Sequence, residues 1–272
     1  MIRSSARLAA LAWPLFAAVP AAAGGSLEAR YSVTFTGIPI GQAALVVQVN
    51  DEGYSASGSA MVAGALKMIA PGKGSAAARG LFVDGKVAPV SYSVNSESRK
   101  RSEEIRLSGA AGMIRDEVVI PRRERSDQVP VTEEHRTGAV DPMSAIVMPV
   151  QNGGDLTGVE ACERTLPIYD GRERYDLDLI YVRTDRARDV KGYSGPLAVC
   201  RVQYRPVAGH RPNRKQVREL AENKEIFVWL APVAGTRVVV PQRVSFGTPL
   251  GVFMMQATHF SSEERPAGDA RP

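Results

Sequence analysis

The chain has 272 residues, of which 44% are hydrophobic and 23% charged, with a formal net charge of +5. That balance is ordinary for a globular protein and excludes wholesale disorder. Lys and Arg are interleaved with Asp and Glu along the chain, which argues against the basic stripe with interspersed aromatics that nucleic-acid binding requires.

At the N-terminus, Arg3 and Arg7 precede an apolar run from Leu8 to Val19, followed by Pro20 and Ala21-Ala22-Ala23. This is the layout of a secretory signal peptide cleaved after Ala23. The run is about 12 residues against the roughly 20 that a helix needs to cross a bilayer, and Pro14 would interrupt a spanning helix. No Cys stands just after the cleavage point, so no lipid anchor is expected. The expected organisation is a signal peptide over 1–23, one β-rich domain over 24–260 and a disordered tail over 261–272. The expected location is the periplasm of a Gram-negative bacterium, with no transmembrane span once the signal is removed.

Tyr31–Thr36 and Gln42–Val49 read as two strands of a hairpin around Gly37-Ile38-Pro39-Ile40-Gly41, and Tyr54–Ala60 alternates as a third. Met61, Ala65, Met68 and Ile69 then recur at helical spacing, which predicts a short amphipathic helix over Met61–Ala70, ended by Pro71. Strands resume over Ala76–Val83 and Val87–Asn95, joined by an Asp84-Gly85 hairpin signal, and over Arg99–Leu107 and Met113–Ile120. Charge without apolar periodicity from Pro121 to Gly138 predicts a long exposed loop, in which His135 is solvated. Asp141-Pro142 places an N-cap acid before Pro at the first helical position, so Asp141–Met148 is expected to form a short buried helix.

In the second half, a strand is expected through Cys162 to Tyr169 after the Asn152-Gly153-Gly154 turn. Arg174–Arg183 alternates, placing Tyr175, Leu177, Leu179 and Tyr181 on one face and Arg174, Asp176, Asp178 and Ile180 on the other. Leu197–Tyr204, Glu225–Leu230, Arg237–Phe246 and Gly251–Phe260 complete the set, with a short polar helix near Asn213–Ala221. No internal repeat recurs at a fixed period. About a dozen strands with two or three short helices predict a mostly β fold, either a strongly curved antiparallel sheet or a partly closed β-barrel.

The two cysteines, Cys162 and Cys200, are an even count in an exported chain and are expected to pair. Closing that loop would stabilise the fold by up to about 4 kcal/mol in the chain-entropy model. Neither a C-x-x-C redox pair nor a Cys/His set at metal-ligand spacing accompanies them, so no metal and no cofactor are expected.

No G-x-S-x-G, H-E-x-x-H or phosphate-cradling Gly-rich motif occurs, and no catalytic residue is assigned. Three residues are candidate ligand contacts. Arg172 and Arg174 would lie on one side of an extended chain and offer planar forks to a carboxylate or phosphate. The competing role, which weighs more, has Asp170-Gly171 form a hairpin turn while the arginines pair with Asp176, Asp178 or nearby carbonyls. His210, in Gly209-His210-Arg211, follows a strand, but a lone His beside Arg is more often structural than a general base. His259 reads as a sheet-face residue.

Taken in order, Gly37-Ile38-Pro39-Ile40-Gly41, Asp141-Pro142-Met143-Ser144-Ala145, Cys162, Tyr169-Asp170-Gly171-Arg172-Glu173-Arg174-Tyr175-Asp176-Leu177, Cys200 and Gly209-His210-Arg211 resemble the domain of unknown function (DUF) family 3108 of exported proteobacterial proteins. The resemblance spans nearly the whole mature chain and implies a periplasmic, β-rich envelope protein without assigning a reaction. More loosely, it is similar to curved-sheet carriers that shield an acyl chain under helices on the concave face. The expected function is a noncatalytic envelope protein that supports envelope integrity through a protein partner or an apolar ligand. One alternative is a lipid or lipoprotein carrier with Met61, Met68, Met143 and Met148 as adaptable walls, although the same residues would more ordinarily fill a dry core. The other is a hydrolase of an envelope polymer, which lacks a coherent nucleophile, base and oxyanion set.

Overall fold

A computed structural model describes residues 24–110, 112–122, 126–151 and 153–265, so the signal segment 1–23 and residues 266–272 of the expected tail lie outside it. The N-terminal meander comprises β1 (Gly24–Phe35), β2 (Ile38–Val49), β3 (Gly53–Val62), β4 (Gly72–Val83), β5 (Lys86–Ser98), β6 (Arg101–Ala110) and β7 (Met113–Ile120). A connector then leads through β8 (Met148–Pro149) into a second meander. Its strands are β9 (Arg164–Tyr169), β10 (Arg174–Arg186), β11 (Pro196–Ala208), β12 (Ile226–Pro232), β13 (Val238–Thr248) and β14 (Gly251–Arg265).

Among the described residues fourteen strands form one antiparallel sheet, ordered β7-β6-β5-β4-β3-β2-β1-β14-β13-β12-β11-β10-β9 with β8 beside β13. The mostly β, strongly curved architecture expected from the sequence is what the chain adopts. The two meanders are joined at mid-sheet, where β1 and β14 pair from Gly24↔Arg265 to Phe35↔Phe253. Ser261–Arg265, expected in the disordered tail, is therefore strand. The antiparallel partner supplies a ladder that a polar sequence alone does not reveal. Period-2 burial drives the curvature inward: Leu27, Ala29 and Tyr31 of β1 and Leu45, Val47 and Val49 of β2 are buried while Glu28, Arg30, Val46 and Gln48 face out. The tight hairpins need positive φ at two successive residues, met by Thr36-Gly37 and Asp84-Gly85.

The interior is packed. Leu27, Val47, Val147, Val240 and Phe260 share one cluster, into which the connector inserts Met143 and Ile146. Burial of Phe260 alone stabilises by about 1.5–3 kcal/mol. A second cluster surrounds Cys162 and Cys200, both fully buried and joined as a disulfide with Cα atoms 5.5 Å apart.

Four local expectations are corrected. Met61–Ala70 is not one amphipathic helix: Met61 and Val62 continue β3, paired with Gln42 and Gly41, and only α1 (Leu66–Ile69) is helical, with no buried residue. Ladder bonds to β2 outweigh a 3.6-residue spacing that has nothing to pack against. Asp141–Met148 is buried as expected but forms a 3-10 turn over Ser144–Ile146 followed by β8. Cys162 ends the one-turn α2 (Val159–Cys162), so the strand begins only at Arg164. The loop after Pro121 is exposed along most of its described residues, as expected, and is tied down where Val129 exchanges backbone hydrogen bonds with Gly209 and His210. Within it, His135 is half-buried, and its Nδ1 accepts the Thr132 N–H beside a 3-10 turn over Glu134–Arg136. The polar helix α3 (Lys215–Glu222) lies where expected.

Candidate functional site

β7 and β9 are the two edges of the sheet, and among the described residues no strand ladder joins them. Unpaired edges need covering. Here the connector runs between them, bridging Met113↔Thr137 on one side and Val140↔Ile168 on the other. Gly138 N donates to Gly112 O at 2.7 Å, and Val140 N to Pro167 O at 2.8 Å.

Beyond those bridges, where β7 ends, the seam opens into a cleft of about 730 Å³ lined by five arginines, Arg122, Arg136, Arg172, Arg211 and Arg214, and three glutamates, Glu103, Glu117 and Glu173. At its floor the Tyr169 hydroxyl donates to Glu117 Oε2 at 2.5 Å, and Arg136 Nη2 donates to Glu117 Oε1 at 3.2 Å. The Arg136 guanidinium also lies 5.6 Å from the Tyr169 ring centroid. Burial, reinforced by the Glu117 contact, raises the Tyr169 phenol well above its ordinary pKa, so it remains a donor at neutral pH.

One wall is the turn between β9 and β10. Asp170 Oδ1 accepts the backbone N–H of Arg172 at 2.8 Å and of Glu173 at 2.7 Å, which closes an Asx turn. Gly171 has φ +92°, and a Cβ there would lie 2.7 Å from Ile105 Cγ2. Burial pushes the Asp170 carboxyl above its usual range against the pull of those N–H groups. Glu173 is likewise raised, first by burial and then by Asp170, with Arg214 opposing. Across the cleft, Arg211 pairs with Asp127 at 2.5 Å, and Gln128 Nε2 donates to Gly209 O at 2.6 Å. At Gly209, φ +78°, a Cβ would overlap the Arg172 carbonyl, so glycine lets the exit of β11 touch the turn.

The candidate residues separate. Arg172 lines the cleft, donates to Pro121 O at 3.1 Å and stands 4.0 Å from Glu103. Arg174 lies outside it, with Nη1 2.5 Å from Asp176 Oδ1 in an outer-face ladder continued by Arg205, Asp176 and Asp178. The two do not form a shared fork, because the Asx turn bends the chain that the fork reading took as extended. His210 is only 8% exposed and does not line the cleft, although Gly209 and Arg211 do. Its Nδ1 has no hydrogen-bond partner among the described residues.

A second polar centre is enclosed in the core. Ser144 Oγ donates to Asp141 Oδ2 at 2.5 Å, Tyr54 donates to Ser144 Oγ at 2.5 Å, and Asp141 Oδ1 accepts the N–H groups of Met143 and Ser144. This network pins the connector inside the sheet. Of the four methionines considered as cavity walls, Met61 and Met68 are exposed, Met148 is buried and Met143 half-buried, so they share no wall.

Glu117, Arg136, Arg122, Arg211 and Arg214 escaped sequence reasoning because they come from separate segments that meet only at the seam. The tight Asp170-Gly171 and Gly209 backbone positions were the available local signals. A family model described as a protein of unknown function (DUF3108) matches residues 30–258. The chain is also similar to the crystal structure of a beta-barrel-like protein of domain of unknown function DUF1849 from Brucella abortus, with TM-score 0.45 and 8% identity over 88% of this chain and 98% of that one. No curated protein matches the sequence.

Proposed function

This chain belongs to the DUF3108 family, and from that premise we propose that it is a noncatalytic protein of the bacterial envelope that holds an anionic group of a partner or envelope component in its seam cleft. Periplasmic location is part of the proposal. It is supported by the signal-like N-terminal sequence and the buried disulfide, and among the described residues no helix is long and apolar enough to cross a membrane.

One observation carries the reading: the interior is filled by side chains, whereas the cleft at the seam is lined by arginines in excess over glutamates. An acyl chain needs an apolar enclosure. Guanidinium groups on a partly water-excluded wall instead favour carboxylate or phosphate, which they meet through paired donors. The lipid-carrier alternative receives no such enclosure from the packed connector.

Native mass spectrometry on protein purified from a periplasmic extract, with organic extraction of whatever accompanies it, tests the choice. A protein free of lipid that retains a polar, acidic companion supports the proposal. Stoichiometric copurifying lipid would favour the carrier.

A further inference from the structure

Hairpin turns at one end of the sheet carry side chains that the core does not use. Strands β4, β3, β2, β1, β14 and β13 are consecutive neighbours, so their β1–β2, β3–β4 and β13–β14 connections emerge side by side. They are in contact: Thr36 N donates to Val252 O at 2.7 Å, and Ala63 N to Ile40 O at 3.0 Å. At their tips Ile38 is 66% exposed, Met68 82%, Ile69 75% and Leu250 86%. Large apolar side chains gathered on adjoining turns mark a contact surface, unlike scattered single exposures.

Cations flank the same tips. Lys67 lies within α1, Arg99 reaches toward Met68 O at 3.5 Å, Lys100 follows in the β5–β6 turn and Arg101 opens β6, all exposed. Lys73 also borders the rim, where it pairs with Glu97 at 3.1 Å. Apolar tips ringed by Lys and Arg suit a surface that offers hydrocarbon beneath an anionic layer. A second copy fits poorly, because a two-fold contact would bring the same cations together.

We propose that this rim docks on an anionic phospholipid bilayer, with Ile38, Met68, Ile69 and Leu250 entering the headgroup region while Lys67, Arg99, Lys100 and Arg101 meet lipid phosphates. The docking would hold the protein against a membrane face without a spanning segment.

Flotation of the mature chain tests it, with vesicles of phosphatidylcholine alone or containing about one third phosphatidylglycerol. Binding should be about tenfold stronger to the anionic vesicles and should weaken with salt. The triple variant Met68→Ser, Ile69→Ser, Leu250→Ser should lose it, as should Lys67→Glu with Lys100→Glu, with melting unchanged because these side chains are exposed. Arg172→Ala should retain it, separating the rim from the cleft. No binding by the wild type, equal binding by both rim variants, or loss only with Arg172→Ala would overturn the proposal. So would a dimer that the triple variant abolishes in a chain that ignores vesicles.

Discussion

Tyr169 on β9 donates its hydroxyl hydrogen to Glu117 on β7 at 2.5 Å, so a side-chain bond joins the two edge strands that no ladder among the described residues closes, beside the bond from Arg172 to the Pro121 carbonyl. Both residues are held from elsewhere, Glu117 by Arg136 and Tyr169 by its backbone bond to Val140. Replacing Tyr169 by Phe keeps the ring and removes only the donor. Stability should fall by about 1.5–3 kcal/mol, the range for a hydrogen bond to a charged acceptor. Chemical denaturation reads this directly, and an unchanged midpoint would show that this bond adds nothing to the closure of the seam.

The Asp141 network makes a pH-dependent prediction. Burial pushes the Asp141 carboxyl above its usual range, outweighing the bonds from Ser144 and Met143. In the unfolded chain an Asp titrates near about 4. A raised folded pKa means that the folded state binds the proton more tightly, so this contribution to stability is complete below the unfolded pKa and is lost as pH rises toward the folded one. Asp141→Asn lacks the titration. The margin by which wild type outlasts Asp141→Asn in thermal melts should therefore narrow as pH rises above about 4. A margin that widens would reverse the assignment. Asp141→Ala, which strands two N–H donors and the Ser144 hydroxyl, should cost about 2–3 kcal/mol at low pH, and that margin too should narrow as pH rises.

Nonreducing peptide mapping should recover Cys162 linked to Cys200. The bridge closes a separation of 38 residues between α2 and β11, and the double Ser variant should lose up to about 4 kcal/mol while its spectrum stays β-rich. Free thiols at both positions would contradict the bridge, and loss of function at unchanged stability would point to redox chemistry.

Much of the sheet was legible because one face of each strand is buried and the period is two. Leu45, Val47 and Val49 announce β2 without help from any neighbour, and Asp84-Gly85 announces its hairpin through backbone chemistry. The Met61–Ala70 stretch misled because its apolar spacing serves exposure at a turn, which periodicity alone does not distinguish from a core-facing helix. The cleft was legible only at Asp170–Glu173 and Gly209, where turn geometry constrains residue type. Glu117, Arg136 and Arg214 are ordinary surface residues in sequence and become neighbours only when the connector draws β7 and β9 together.

A deletion strain should grow nearly normally in rich medium and become sensitive to detergents or wall-targeting antibiotics. Complementation should require 1–23 or an equivalent export signal. Normal tolerance together with accumulation of one identifiable substrate would replace the binding role with a catalytic one.

Isothermal titration of the mature protein with inorganic phosphate and with soluble peptidoglycan fragments tests the central claim most directly. Saturable binding of at least one probe that weakens with salt, falls about tenfold in Arg172→Ala with Arg214→Ala and survives Arg174→Ala is the expected result, a tenfold loss corresponding to about 1.4 kcal/mol. Absence of binding to both probes, or equal binding by wild type and the double cleft variant, would contradict the claim that the seam cleft is an anion-holding site.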